Sequence, residues 1–288
     1  MFGIIYGLLA AVGQGLGYAV LKKSFSERPA SLAYFYDMLL GILIWVPISL
    51  VLGIQWDMLS TVFWYALLSA LLAEAFVFFV LSKGDISLTQ PVFSTYPLFT
   101  LLFSRVVNGD ILSLPVIISI VFVMGGIIIL AFPATFDKAE LKKRALLLWP
   151  LAGAIAVGIS DSVSKNILDK TSTGTFLFSL AFAQIPVAIG YLWAEKQKLT
   201  DVVDMFRNYK TYLYSFLGSF FIVSSLVFFW LAFTYTSASI ASPLTATYVV
   251  FALLFGTLIV KEKVARKDII GIVITVLGVL ALSFLVAQ

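Results

Sequence analysis

The sequence predicts an all-α membrane protein: ten transmembrane helices in two inverted five-helix repeats around a central cavity. Three observations predict it. The chain is 61% hydrophobic and only 12% charged, with a mean hydropathy of +1.05, against roughly 25% charged residues in a soluble domain. Such a chain cannot cover itself with polar surface, so its solvent must be lipid. The apolar runs are about twenty residues long, the length of a membrane-spanning helix, and lack the period-two alternation of barrel strands. Finally, one long stretch occurs twice, as expected of a duplicated membrane unit.

The first copy of that stretch runs from Ser87 to Phe132 and the second from Ser239 to Phe284. They align without a gap. Ser87, Pro91, Thr95, Tyr96, Phe99, Leu101, Leu102 and Phe103 match Ser239, Pro243, Thr247, Tyr248, Phe251, Leu253, Leu254 and Phe255. An acidic residue follows each first helix, Asp110 in one copy and Glu262 in the other.

In chain order the spans run approximately 3–21, 32–53, 61–82, 88–107, 113–132, 147–168, 174–194, 211–234, 239–260 and 268–286. Five fall in each half, so residues 1–134 form one repeat, 135–144 a polar link, and 145–288 the second repeat. An odd number of crossings turns the second repeat upside down relative to the first. Pro47 falls in the second span, Pro91 and Pro97 in the fourth, Pro186 in the seventh and Pro243 near the start of the ninth. Proline removes a backbone donor and interrupts a helix. In a membrane this is tolerated at a first turn, or where neighbours or a wet cavity satisfy the freed carbonyl. Paired interruptions at Pro91 and Pro243 place a cavity between the repeats. The stretch from Glu195 to Lys210 mixes charges with Val202, Val203, Met205 and Phe206, a pattern that suits either an interfacial helix or a solvated loop.

The charge balance sets an orientation. Of the nineteen basic residues, all but Arg105, Lys165 and Lys170 lie in or beside the loops that follow odd-numbered spans. Positive loops face the cytoplasm, so both chain ends are expected outside. The net charge of +4 is therefore a topological signal and not one for nucleic acid. With no cysteine and no histidine, disulfides, Cys/His zinc sites and imidazole catalysis are excluded. No G-x-x-x-x-G-K-[ST] phosphate loop is present, which excludes an ATP-driven pump on this chain. No cofactor is expected. The first apolar run lacks a basic leader and a small-residue cleavage site, and reads as a retained helix.

The second copy runs from Ala241-Ser242-Pro243 to Glu262, then Ile269-Ile270-Gly271 and Gly278. With the earlier copy, Gln90-Pro91 to Asp110 and Gly126, and the aromatic lead-ins Phe228-Phe229-Trp230 and Phe78-Phe79, this resembles the EamA-type transporters of the drug/metabolite transporter superfamily. The resemblance covers nearly the whole chain. It implies ten helices in two inverted repeats, a central cavity and alternating access, for amino acids, nucleotide sugars, amines, drugs or other metabolites. Related transporters are described with both ends in the cytoplasm, and here the loop charges argue the reverse.

Polar residues within spans are the candidates for function, because an ionisable side chain in hydrocarbon costs about 3 kcal/mol on insertion scales. Glu74, midway along the third span, is the clearest: a substrate-cation or proton-coupling site, against the alternative of a carboxyl that only ties helices together. Asp161 and Lys165 are four residues apart on one face of the sixth span, in the favourable acid-first order. They are expected either to open onto a zwitterionic substrate or to form a self-neutralised pair, with Lys165 snorkelling outward. Gln14 and Tyr18 share a face of the first span among Gly13, Gly15 and Gly17, where small residues also permit close packing. Aligning Val20-Leu21 with Ile167-Leu168 sets Gln14 opposite Asp161. Ser94, Tyr96, Thr245 and Tyr248 lie on the interrupted helices and offer hydroxyls. Trp230 either walls the cavity or faces lipid. Asp37, close to the start of the second span among Tyr34, Phe35 and Tyr36, is expected at the interface. Arg105 is expected as a rim charge that could pair with Asp110, and Gln184 either bridges the bend at Pro186 or faces substrate.

The expectation is a secondary transporter in the plasma membrane, not an enzyme. It would work as a monomer or homodimer on a small polar or amphipathic metabolite, an amino acid or organic amine first, either coupled to protons through Glu74 or by uncoupled exchange. A flippase for a lipid-linked head group and a nucleotide-sugar-type transporter are the alternatives within transport. A remote one is an intramembrane aspartyl-type enzyme using Asp37 and Asp161, but no Gly-x-Gly-Asp frames Asp161.

Overall fold

The computed structural model describes residues 1–25, 29–83, 92–131, 145–259 and 266–287. Pro91, the 135–144 link, Glu262 and Gln288 lie outside the described residues. Among those described there is no strand. The helices are α1 (Phe2–Phe25), α2 (Ala30–Leu52), α3 (Leu59–Ser69), α4 (Phe76–Lys83), α5 (Tyr96–Val107), α6 (Leu114–Ala131), α7 (Ala145–Leu168), α8 (Thr173–Ala194), α9 (Leu199–Arg207), α10 (Leu213–Tyr235), α11 (Ala238–Ala246), α12 (Tyr248–Ile259) and α13 (Arg266–Ala287). Among the described residues, six stretches are long and apolar enough to cross a membrane: Phe2–Leu21, Ala30–Leu52, Trp56–Val80, Thr173–Ala194, Leu213–Tyr235 and Ala238–Leu258. Apolar α5 and α6 are shorter. The stretch after the seventh span forms the short helix α9, which buries Met205 and leaves Val203 and Phe206 exposed.

The helix contacts carry the duplication. α1 packs most extensively on α10, and next on α12. Its counterpart α7 packs on α5, the counterpart of α12, and on α3, its following turn and α4, which match α10. α2 lies on α8 and α6 on α13, each pair being its own counterpart; α2 also meets α10, as α8 meets α3. Exchanging the halves leaves this pattern unchanged.

Glycine sets the closest approaches, as it does where membrane helices pack backbone to backbone. A Cβ on Gly15 of α1 would stand 2.5 Å from the Phe251 Cβ, and one on Gly158 of α7 would stand 2.5 Å from the Phe99 Cβ. Phe99 and Phe251 are matched residues of the duplicated stretch, so Gly15 and Gly158 are counterparts too. That equivalence sets Tyr18 opposite Asp161, one turn on from the register that pairs Asp161 with Gln14. Between α6 and α13, Gly126 faces the Gly271 carbonyl and Thr275. Lys267, in the first turn of α13, donates to the carbonyls of Ile129 and Leu130 at 3.2 and 3.4 Å, satisfying acceptors that the end of α6 leaves open.

The interruptions of the fourth and ninth spans are also matched. Helical structure breaks at Ser94–Thr95 and again at Thr247. Thr95 and Thr247 each turn their hydroxyl back onto the carbonyl three residues earlier, Val92 and Leu244, at 2.6 Å in both cases. A hydroxyl that captures a local carbonyl competes with the helix ladder. Pro97 stands in the first turn of α5, where its missing donor costs nothing, and Pro243 lies inside α11, four residues before the break.

Candidate functional site

The third span carries a second kind of break. Residues Ala70–Ala75 form a π-helical stretch between α3 and α4, closed by the Phe76 N–H donating to the carbonyl of Leu71. The wider turn displaces the side chains that follow it, and such turns frequently mark functional positions. The Tyr34 hydroxyl reaches the Ala70 carbonyl at 3.3 Å, giving that carbonyl a side-chain partner. Glu74 sits in this stretch, 5% exposed.

Glu74 borders a cavity of about 50 Å³ between the two halves. Gln14 and Tyr18 from α1, Tyr96 from α5, Asp161 from α7, Trp230 from α10 and Tyr248 from α12 line it with Glu74. Seven of the sequence-derived candidates therefore meet at one place. Phe93, Phe229, Ala73, Val77, Val157 and Leu226 complete the wall, so most of the lining is aromatic or aliphatic. The Tyr18 and Tyr248 rings are 5.0 Å apart, and Phe229 and Trp230 4.8 Å.

Asp161 is fully buried. Its Oδ2 accepts from the hydroxyls of Thr100 and Ser242 at 3.0 and 2.9 Å, one from each copy of the duplicated stretch. Its Oδ1 has no hydrogen-bond partner among the described residues. Glu74 repeats the arrangement: Oε2 accepts from Gln184 Nε2 at 2.5 Å, while Oε1 has no partner among the described residues. Trp230 Nε1, a buried donor, is likewise unpartnered. Buried polar atoms ordinarily find partners, and three left open around one cavity mark it as a place for something polar to bind. No lysine or arginine stands among the described lining residues. Thr100 and Ser242 escaped the sequence reading; a buried hydroxyl on an apolar helix carries no signal until the acid that it serves is placed.

Three candidates fall elsewhere. Lys165 does not pair with Asp161. Its Nζ turns the other way along α7, to Asp169 at 2.6 Å and the Phe233 carbonyl at 2.8 Å. Sequence offers Lys165 an acid four residues away on either side, and the one beyond the end of α7 is half exposed; a long ammonium side chain gains by reaching for water. Thr245 donates to the carbonyl of Ala241 at 3.0 Å within α11, and Ser94 is buried in the break before α5, outside the lining. One expectation is corrected. Asp37 is not interfacial but fully buried, close to Gln184, whose Nε2 reaches its Oδ2 at 3.4 Å. Arg105 is exposed, in keeping with a rim charge, and Asp110 accepts from the Ser239 hydroxyl at 2.6 Å.

The EamA-like transporter family matches this chain twice, over residues 1–132 and 144–284. The chain belongs to the EamA-like transporter family. Its two-repeat, all-helical build is the EamA architecture, and the protein is a multi-pass membrane transporter. A curated relative from Archaeoglobus fulgidus, described as an uncharacterized transporter, is 23% identical over 290 residues, with 98% of each chain covered. A protein of known crystal structure shares the fold with a TM-score of 0.70 at 15% identity, again over 98% of both chains. In this EamA-like chain the cavity lies where the counterpart helices α1 and α7 approach each other's halves.

Proposed function

We propose that the protein is an alternating-access secondary transporter of a small organic amine, which binds as an ammonium between Asp161 and Glu74. The observation that carries this reading is the cavity's chemistry: two buried carboxyl groups, each with an oxygen left open, aromatic walls, and no basic residue in the lining. Aromatic faces attract cations, and a carboxylate gives an ammonium a charge-assisted hydrogen bond. Gln14, Tyr18, Tyr96, Tyr248 and the Trp230 N–H would orient the rest of the ligand. Of the two expected classes this favours the amine, because an amino acid would also bring a carboxylate, and Lys165 is engaged by Asp169 and Phe233.

The cavity volume fits a closed state, since pockets that hold drug-sized ligands run to roughly 300–1,000 Å³. Opening to one side then the other would come from the repeats moving against each other. In this reading the chain crosses ten times, counting α3–α4 and α11–α12 as single interrupted spans. The repeats are inverted: α1 lies parallel to the ninth span, Gly7 meeting Leu244 and Gly15 meeting Phe251, as two odd-numbered crossings should. A groove of about 700 Å³ between α3–α4 and α8, lined by Leu67, Leu71, Phe79 and Val187, supports the second reading, a flippase for a lipid-linked head group.

Uptake by proteoliposomes of labelled choline, putrescine, alanine, arginine and a nucleotide sugar tests the assignment. Accumulation of the amines, uncompeted by alanine, is expected; uptake of alanine or the nucleotide sugar alone would refute it. For location, the reading is the plasma membrane, and loop charge supports both ends outside. Alkaline phosphatase fused after Gln288 should be active, and a dark phosphatase with a bright fluorescent protein at the same point would reverse the orientation.

A further inference from the structure

Near Glu74, but outside the cavity lining, lies another carboxyl that the amine site does not use. Asp37 of α2 is fully buried, and Gln184 of α8 stands between it and Glu74. One amide nitrogen, Gln184 Nε2, faces both acids, at 2.5 Å from Glu74 Oε2 and 3.4 Å from Asp37 Oδ2. Asp37 Oδ1, Glu74 Oε1 and Gln184 Oε1 have no partner among the described residues. The place is built for the amide: a Cβ on Gly41 would stand 2.5 Å from Gln184 Oε1, so the absence of a side chain there is what admits it. Tyr34 adds a long contact to Glu74 Oε2 at 3.5 Å.

Among the described residues no cation answers the two acids. α10, packed on α2, and α3 contain no charged residue, and α4, which also packs on α2, has one, its last residue Lys83. α8 contributes Gln184 and Tyr191, and Glu195 just beyond it is bonded to the Ser31 N–H at 3.0 Å. α7 brings Asp161, a third acid, and Lys165, which is held by Asp169. α1 contributes Tyr18. Two carboxylates that share a site without a counter-charge cannot both stay ionised. The described residues supply no positive charge there, and with one amide nitrogen between the two acids a proton on one carboxyl relieves their repulsion.

We propose that Asp37, Gln184 and Glu74 form a proton site separate from the amine contact at Asp161, in which the two carboxyls share one proton. Its use in coupling rests on the transport reading above. One acid carries the O–H and the other is the carboxylate; release of that proton to water through the cavity leaves two carboxylates, and an ammonium beside Glu74 would replace the positive charge that left. Proton and amine would then exchange. Asp37 and Glu74 come from the first repeat and Gln184 from the second, so motion between repeats would make and break the site.

Infrared difference spectroscopy across a pH titration, on the protein in nanodiscs without substrate, tests this. One protonated-carboxyl carbonyl band is expected that is lost or shifted by Asp37→Asn, by Glu74→Gln and by Gln184→Met alike, and unaltered by Asp161→Asn. Near-isosteric replacements keep the packing, and Gln184→Met probes the bridge with both acids intact. Absence of such a band, a band untouched by Asp37→Asn, or two bands each lost in one variant only would overturn the shared proton. Because no substrate is present, that failure would leave the amine assignment standing, and failure of amine uptake would leave this result standing.

Discussion

Asp161→Asn is expected to lower amine uptake at limiting substrate by about 100-fold while leaving the protein at least as stable as wild type. Losing one partner of a buried charge pair costs about 2–5 kcal/mol, and about 3 kcal/mol is ~100-fold in a binding constant. Stability moves the opposite way because the empty protein buries the acid at full depth with only two hydroxyls, from Thr100 and Ser242, to hold it. An uncompensated buried charge is costly, and asparagine keeps the shape and the acceptor without the charge. Uptake rates and thermal unfolding measured on the same preparation separate a binding residue from a structural one. Normal uptake in this variant would remove Asp161 from the site. Lys165→Met should behave in reverse, losing stability through Asp169 and the Phe233 carbonyl while keeping the preference among amines.

The duplication was legible because matched residues do matched work. Thr95 and Thr247 align in sequence, and each breaks its span with the same hydroxyl bond. Glu74, Asp161 and the tyrosines were legible because polar atoms on apolar helices are costly to keep. What sequence could not supply was depth and direction. Asp37 lies near the start of α2 in sequence, as an interfacial residue would, yet the packing of α8 and α10 over that end buries it. Lys165 has an acid four residues away on each side, and spacing does not choose between them. Gln14 and Tyr18 occupy one helix face a turn apart and both line the cavity, so an alignment that slips by that turn still points to the same wall. The π-helical turn at Ala70–Ala75 has no signature in a pattern of period 3.6, and it is this turn that sets where Glu74 goes.

If the halves are true counterparts, matched glycines should fail together. Gly15→Ala and Gly158→Ala are each expected to destabilise the protein by about 1–3 kcal/mol, the usual cost of overpacking. Each new methyl would meet a phenylalanine Cβ at 2.5 Å and neighbouring backbone at 2.8 Å, atoms that cannot rotate away. Helix propensity alone argues the other sign, since alanine is better than glycine by about 1 kcal/mol in a helix interior. Gly125→Ala and Gly190→Ala isolate that term: a Cβ at either position meets nothing within 4 Å, and both variants should be neutral or more stable. Thermal unfolding of the four proteins in detergent decides it. A stable Gly158→Ala beside an unstable Gly15→Ala would mean that α1 and α7 do not make equivalent crossings. The equivalence of Tyr18 with Asp161, which rests on those crossings, would fall with it.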